Sequence, residues 1–191
     1  MNKAYKVPEG NALVLRTCNA KLQGYGRFQW PTAGPVKCND WNATPECGNG
    51  LHGLLWGVGG NYLSWKSDAV WLVVEVELSQ CVTIGGDKVK FPCGNVVHCG
   101  TRQSATQFMA QYAPLDTAIV GRVAFLGDNA SITAGDNASI TAGDIASITV
   151  GIGASIKAGI GASIKAGWHA SITAGRGALI DAFQPALIDA P

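Results

Sequence analysis

At 191 residues and a net charge of +1, the chain has room for one mid-sized domain or two small ones and carries no bulk charge for holding nucleic acid, which is therefore not favoured as a partner. Charged residues make up 14% of the sequence and glycine accounts for 25 positions, a balance that is odd for a helical globule and suits a turn-rich β protein. No run of about 18 apolar residues occurs, so no membrane partner is expected. The opening MNKAYKVPEGNALVLR lacks the apolar centre of a signal peptide, which predicts a cytoplasmic protein. The six cysteines, Cys18, Cys38, Cys47, Cys81, Cys93 and Cys99, are then expected to be mainly reduced.

Residues 1–126 hold all six cysteines and five of the six tryptophans and read as an α+β domain. Residues 12–17 form a strand candidate. Residues 70–77 form another, half-buried, with Trp71, Val73 and Glu75 alternating against Leu72, Val74 and Val76. A third strand is expected around Val96, Val97 and His98. A helix is predicted from Ser104, which can serve as its N-cap, because Phe108, Met109 and Tyr112 recur at helical spacing before Pro114.

Two segments of this domain share the pattern C-G-N-x-x-H: Cys47 to His52 and Cys93 to His98. Two thiolates and two imidazoles can close a tetrahedral zinc site if both turns approach one ion, and two similar turns with buried thiols are the plainer reading. Residues 46–57, ECGNGLHGLLWG, followed by the strand WLVVEV, resemble an uncharacterised family of phage and bacterial proteins in which a Cys and a Gly-Leu-His or Gly-Phe-His signature precede a strand and short repeats. That resemblance implies a phage or prophage origin and residence in the host cytoplasm. The layout is also similar to ADP-ribosyltransferases, which implies NAD as cofactor, Arg16 and His52 as its contacts, and Glu75 or Glu77 as the glutamate that stabilises charge at the anomeric carbon. Without that resemblance, Arg16 and Glu75 are surface charges and His52 is a turn residue.

From Gly127 to the C-terminus the sequence falls into eights: GDNASITA twice, GDIASITV, GIGASIKA twice, GWHASITA, GRGALIDA and FQPALIDA. Glycine every eighth position and Ser, Ile and Thr between exclude an amphipathic helix and predict a β-solenoid over residues 127–191. Ala130, Ile132 and Ala134 share an inward face, while Ser131 and Thr133 point out. The glycine is expected to turn the corner through a positive φ. Two units make a sixteen-residue coil, and about four coils stack at roughly 4.8 Å. One outer face then carries Ser131/Thr133, Ser147/Thr149 and Ser163/Lys165. The other carries Ser139/Thr141, Ser155/Lys157 and Ser171/Thr173.

The last unit, FQPALIDAP, reads as a cap in which Phe183 covers the core and Pro185 and Pro191 withhold ladder donors; a homodimer through this end is the alternative. The octapeptides resemble those of bacterial ice-nucleation proteins through their glycine, the small residue before the strand and the alternating hydroxyls, which implies an ice-binding surface. Lys157, Lys165 and Asp181 interrupt that hydroxyl pattern, and Asp128, Asp136 and Asp144 are too few for a DNA-like charge line. The sequence therefore predicts a non-enzymatic, viral-type protein, without cofactor, that binds a host or viral protein and antagonises a host system. Its surface is expected at Ser131, Thr133, Ser139, Thr141, Lys157, Lys165, Trp168 and Phe183. An ADP-ribosyltransferase-like enzyme and an ice-binding protein are the alternatives.

Overall fold

The computed structural model describes residues 5–59, 62–86 and 88–191. They form two compact units, Met1–Ala113 and Pro114–Pro191. The α+β domain followed by a β-solenoid expected from the sequence is the architecture observed.

The first unit is an antiparallel sheet built from β1 (Asn11–Cys18), β2 (Gly34–Lys37), β3 (Leu51–Leu55), β4 (Val70–Glu77), β5 (Val82–Ile84), β6 (Lys88–Phe91) and β7 (Cys93–Gly100). Their order across the sheet is β2-β7-β4-β1-β3-β6-β5. One helix, α1 (Arg102–Tyr112), packs on β4, β7 and β1. Thr101, rather than Ser104, caps it, its hydroxyl accepting the Ser104 N–H at 3.2 Å. The β4 strand differs from the half-buried expectation. It lies between β1 and β7, and Trp71, Leu72, Val73, Val74 and Val76 are all buried, so both of its faces are core. Ala12, Val14, Leu72, Val74 and Val96 pack into one of those cores, under Trp30 and Phe91. The alternate residues Leu13, Leu15 and Val73 lie on the face that carries α1, where His98 stacks on Phe108 at 5.1 Å between ring centroids.

The second unit stacks nine short parallel strands: β8 (Val123–Leu126), β9 (Ser131–Ala134), β10 (Ser139–Ala142), β11 (Ser147–Val150), β12 (Ser155–Ala158), β13 (Ser163–Ala166), β14 (Ser171–Ala174), β15 (Leu179–Ala182) and β16 (Leu187–Asp189). Alternate strands join two sheets, β8-β10-β12-β14-β16 and β9-β11-β13-β15, so each coil takes sixteen residues. Ile132, Ile148 and Ile164 stack in register on one wall and Ile140, Ile156 and Ile172 on the other, all buried. Burying each such side chain stabilises the stack by about 1.5–3 kcal/mol. The stack begins before the repeat is visible in the sequence. Val123–Leu126 pairs with β10 in register although it contains no Ser-Ile-Thr.

The glycine that opens each unit does not supply a positive φ. That conformation falls two residues later, at Asn129 (φ 56), Asn137 (φ 55), Ile145 (φ 58), Gly161 (φ 66) and His169 (φ 60). From Gly135 onward the opening glycine is required instead by close stacking of the corners: a Cβ on Gly159 would sit 2.8 Å from Asp144 N, and one on Gly167 would sit 2.8 Å from Gly151 C. The corner aspartates tie coil to coil. Asp128, Asp136 and Asp144 each accept, through Oδ1, the backbone N–H of the residue sixteen further on, at 2.9, 2.8 and 2.7 Å.

The last unit is not a cap. Residues 187–189 continue the ladder as β16, and Phe183 stands at a corner, 57% exposed, stacked on Trp168 at 6.0 Å instead of covering the core. Leucine at 179 and 187 also replaces serine on the outer surface.

Candidate functional site

On the solenoid, backbone register places the outward side chains in straight columns. The β9-β11-β13 wall carries Ser131, Ser147 and Ser163 in one column and Thr133, Thr149 and Lys165 in the next. Ser131, Thr133, Ser147, Thr149 and Ser163 therefore form one unbroken block of hydroxyls, with Lys165 at its corner and Asp181 beyond Lys165 in register. On the other wall Lys157 lies between Thr141 and Thr173, so the same chemistry is split. Neighbouring hydroxyls in a column stand about 4.8 Å apart and the two columns roughly 6.6 Å apart, as parallel strand geometry dictates. Most of these groups are exposed, Ser139 and Thr133 less so. Trp168 and Phe183 belong to a corner rather than to either wall.

In the first unit the residues of the NAD reading are parted by the pleat. Arg16 pairs with Leu72 and shares its face, its guanidinium 3.9 Å from the centre of the Trp30 ring, with Nη1 donating to His52 O at 3.2 Å. Glu75 points to the opposite face, where it accepts from Tyr5 Oη at 2.7 Å and from Asn11 Nδ2 at 2.9 Å. Burial raises the Tyr5 hydroxyl above its ordinary pKa, with Glu75 adding to the effect. Glu77 accepts from Ser79 Oγ at 2.6 Å and from Gln80 Nε2 at 2.5 Å. His52 lies on β3 and is not a turn residue. Burial first, then the charges of Lys88, Arg16 and Lys90, lowers its pKa to about 4. Arg16 Nε and His52 Nε2 are buried without a hydrogen-bond partner. Arg16, His52 and Glu75 thus do not converge on one point.

The zinc quartet is parted as well. His52 on β3 and His98 on β7 are separated by β1 and β4, three strand spacings or roughly 14 Å. Cys47 contacts Lys88 Nζ at 3.4 Å, Cys93 contacts Gln80 Oε1 at 3.7 Å, and His98 Nε2 meets Ser104 Oγ at 3.0 Å. Among the described residues no three of His, Cys, Asp and Glu gather as metal ligands. All six cysteines are free thiols.

Sequence reading missed a cleft of about 430 Å³ on the α1 face of the sheet. Its polar side chains come from four adjacent strands, Asn11 on β1, Glu75 and Glu77 on β4, Cys93 and Asn95 on β7, and Lys37 on β2, together with Gln80 from the turn after β4. The signal was the polar alternation of β4 and β7, which becomes a site only once β2, unrecognised in the sequence, pairs with β7.

Comparison with known proteins overturns the viral, host-binding reading of the repeats. The chain is 40% identical over 106 residues to the ice nucleation protein InaU of Pantoea ananas, 54% of this chain and 10% of that protein. It is 42% identical over 101 residues to an ice nucleation protein of Pseudomonas syringae (52% and 9%) and 39% identical over 105 residues to one of Xanthomonas campestris pv. translucens (54% and 7%). The chain spans a tenth or less of the length of these relatives. No solved structure matches it. These relatives bear out the resemblance to ice-nucleation repeats; they do not show the phage-type family read from the Cys…Gly-Leu-His signature. Residues 12–111, more than half of the 191, match the family model described as Domain of unknown function (DUF7666), and this chain belongs to that family.

Proposed function

We propose that the solenoid binds ice, or orders water towards it, through the hydroxyl block of the β9-β11-β13 wall. The observation that carries this reading is register: Ser131 with Ser147 and Ser163, and Thr133 with Thr149, are direct ladder partners, so the hydroxyls repeat on a rigid two-dimensional grid. A lone exposed hydroxyl binds water that soon exchanges. A grid held by the backbone holds several waters at fixed mutual spacings, and their ordering entropy is shared along the array. The buried isoleucine ladders beneath supply the rigidity. Proteins about 40% identical to this chain over half its length are named for ice nucleation, which supports the same chemistry.

Lys165 and Lys157 mark the edges of the patch. An ammonium carries its own tightly held hydration shell, which does not fit the grid made by the hydroxyls. The β10-β12-β14 wall, split by Lys157, is accordingly the weaker of the two. Growing a single ice crystal in a solution of the full chain tests the reading: faceted growth is expected with the natural protein and rounded growth with Thr149→Lys. Rounded growth with the natural protein at saturating concentration would remove the proposal.

A further inference from the structure

The cleft on the sheet of the first unit is built from residues other than the hydroxyl block, and its chemistry is of a different kind. Two rows of side chains cross it. Asn11 pairs with Glu77 across β1 and β4, Cys93 pairs with Lys37 across β7 and β2, and Glu75 pairs with Asn95 across β4 and β7, which joins the two ends. One end is acidic, with two carboxylates on the same face of β4. The other holds a lysine two strand spacings away, roughly 10 Å.

The acidic end is preorganised. Tyr5 and Asn11 each donate one hydrogen bond to Glu75, which fixes the carboxylate and leaves it further lone pairs facing the cleft. Ser79 and Gln80 hold Glu77 in the same manner. No described carboxylate pairs with Lys37, and the exposed Asn95 amide between the two ends has no side-chain partner among the described residues. Acceptors and negative charge dominate one end, while donors and positive charge occupy the other. A hard divalent cation would need six or more oxygens around one point, and this arrangement is a line rather than a cage.

We propose that this cleft binds a small zwitterion the size of free arginine, with a guanidinium or ammonium group against Glu75 and Glu77 and a carboxylate against Lys37 and the Asn95 amide. A planar guanidinium can donate two parallel hydrogen bonds to a fixed carboxylate, and the lysine then selects ligands that carry an anionic group at the far end. The backbone fixes the separation of the two ends, so the length of the ligand is part of the selection.

Titration calorimetry of the full chain with L-arginine, and with agmatine as the analogue lacking the carboxylate, tests this. Saturable arginine binding is expected at millimolar or lower concentration. Glu75→Gln, which keeps an acceptor for Tyr5, should weaken both ligands about tenfold. Lys37→Met should weaken arginine about fivefold and should not weaken agmatine, whose far end carries an ammonium and no carboxylate for the lysine to hold. Far-UV circular dichroism of both variants should overlay that of the parent, because neither side chain is core. Absence of saturable arginine binding, or binding that neither substitution alters, would overturn the proposal. Loss of agmatine binding in Lys37→Met would also overturn it, since the lysine would then not be reading the carboxylate.

Discussion

The corner glycines offer a sharp test of how the solenoid is held together, because Gly159 and Gly161 lie two residues apart and are glycine for different reasons. Gly161 has a φ of +66, and a Cβ there would meet only Ile145 Cγ1, at 3.9 Å. Gly159 has an ordinary φ, but a Cβ there would overlap Asp144 Oδ1 and stand 2.8 Å from both Asp144 N and Gly143 C. For Gly161→Ala the left-handed conformation costs about 1–2 kcal/mol, and the loss of unfolded-chain freedom returns about 0.4–1 kcal/mol. The net cost is about 0.5–1 kcal/mol. The same chain already tolerates Asn129 and Ile145 in that column, at φ 56 and 58. For Gly159→Ala the clash is with backbone, which cannot rotate away, so the upper part of the overpacking range applies, about 2–3 kcal/mol. The hydrogen bond from Ile160 N to Asp144 Oδ1 is strained as well. Urea denaturation, read by hydrogen exchange over peptides from residues 127–191, should show Gly159→Ala less stable than Gly161→Ala by about 1–2 kcal/mol. Equal costs, or a larger cost at Gly161, would refute the close-stacking account of the opening glycine.

Two further outcomes concern a solenoid corner and the sheet of the first unit. Asp136→Ala removes the acceptor for the Ile152 N–H and should cost about 1 kcal/mol, whereas Asp136→Asn, which keeps an oxygen in place, should lose much less; the urea midpoint decides. His52 is held neutral: its pKa of about 4 lies below its ordinary 6.5, with burial first and then Lys88, Arg16 and Lys90 opposing protonation and Asp40 favouring it. The unfolded chain therefore takes up this proton at a higher pH than the folded one. The contribution to stability is complete above about pH 6.5 and declines as pH falls towards 4. Thermal melts of the parent and of His52→Gln across that range should show a shallower acid decline in the variant, and parallel curves would contradict the assignment.

What the sequence made legible was the part with a short period. A spacing of eight, an alternating Ala-Ser-Ile-Thr-Ala and a two-unit coil are local facts, and the ladder partners Ser147 with Ser163 and Ile148 with Ile164 repeat them in space. The reason for the opening glycines from Gly135 onward was not legible, because it depends on the approach of a neighbouring coil rather than on the residue's own φ. The same limit applied at Phe183, where the apolar side chain found Trp168 on the adjoining corner instead of the core. In the first unit, residues 70–77 read correctly as a strand, but their depth did not. That depth comes from β1 and β7, and Asn11 meets Glu77 across a long intervening chain. The pairing of the two C-G-N-x-x-H segments failed for a related reason: similar local spelling placed them on β3 and β7, with two strands between. The cleft was hidden because its rows exist only after four strands align.

The central claim, that the β9-β11-β13 wall is the ice-facing surface, is tested most directly by measuring how much protein a slowly growing ice hemisphere takes up. Thr149→Lys and Thr173→Lys place the same charge on opposite walls, at exposed positions that are not part of the core. The account predicts that Thr149→Lys reduces incorporation to that of an inert control protein, while Thr173→Lys, on the wall already split by Lys157, stays close to the parent. Equal incorporation by both variants, or loss confined to Thr173→Lys, would contradict it.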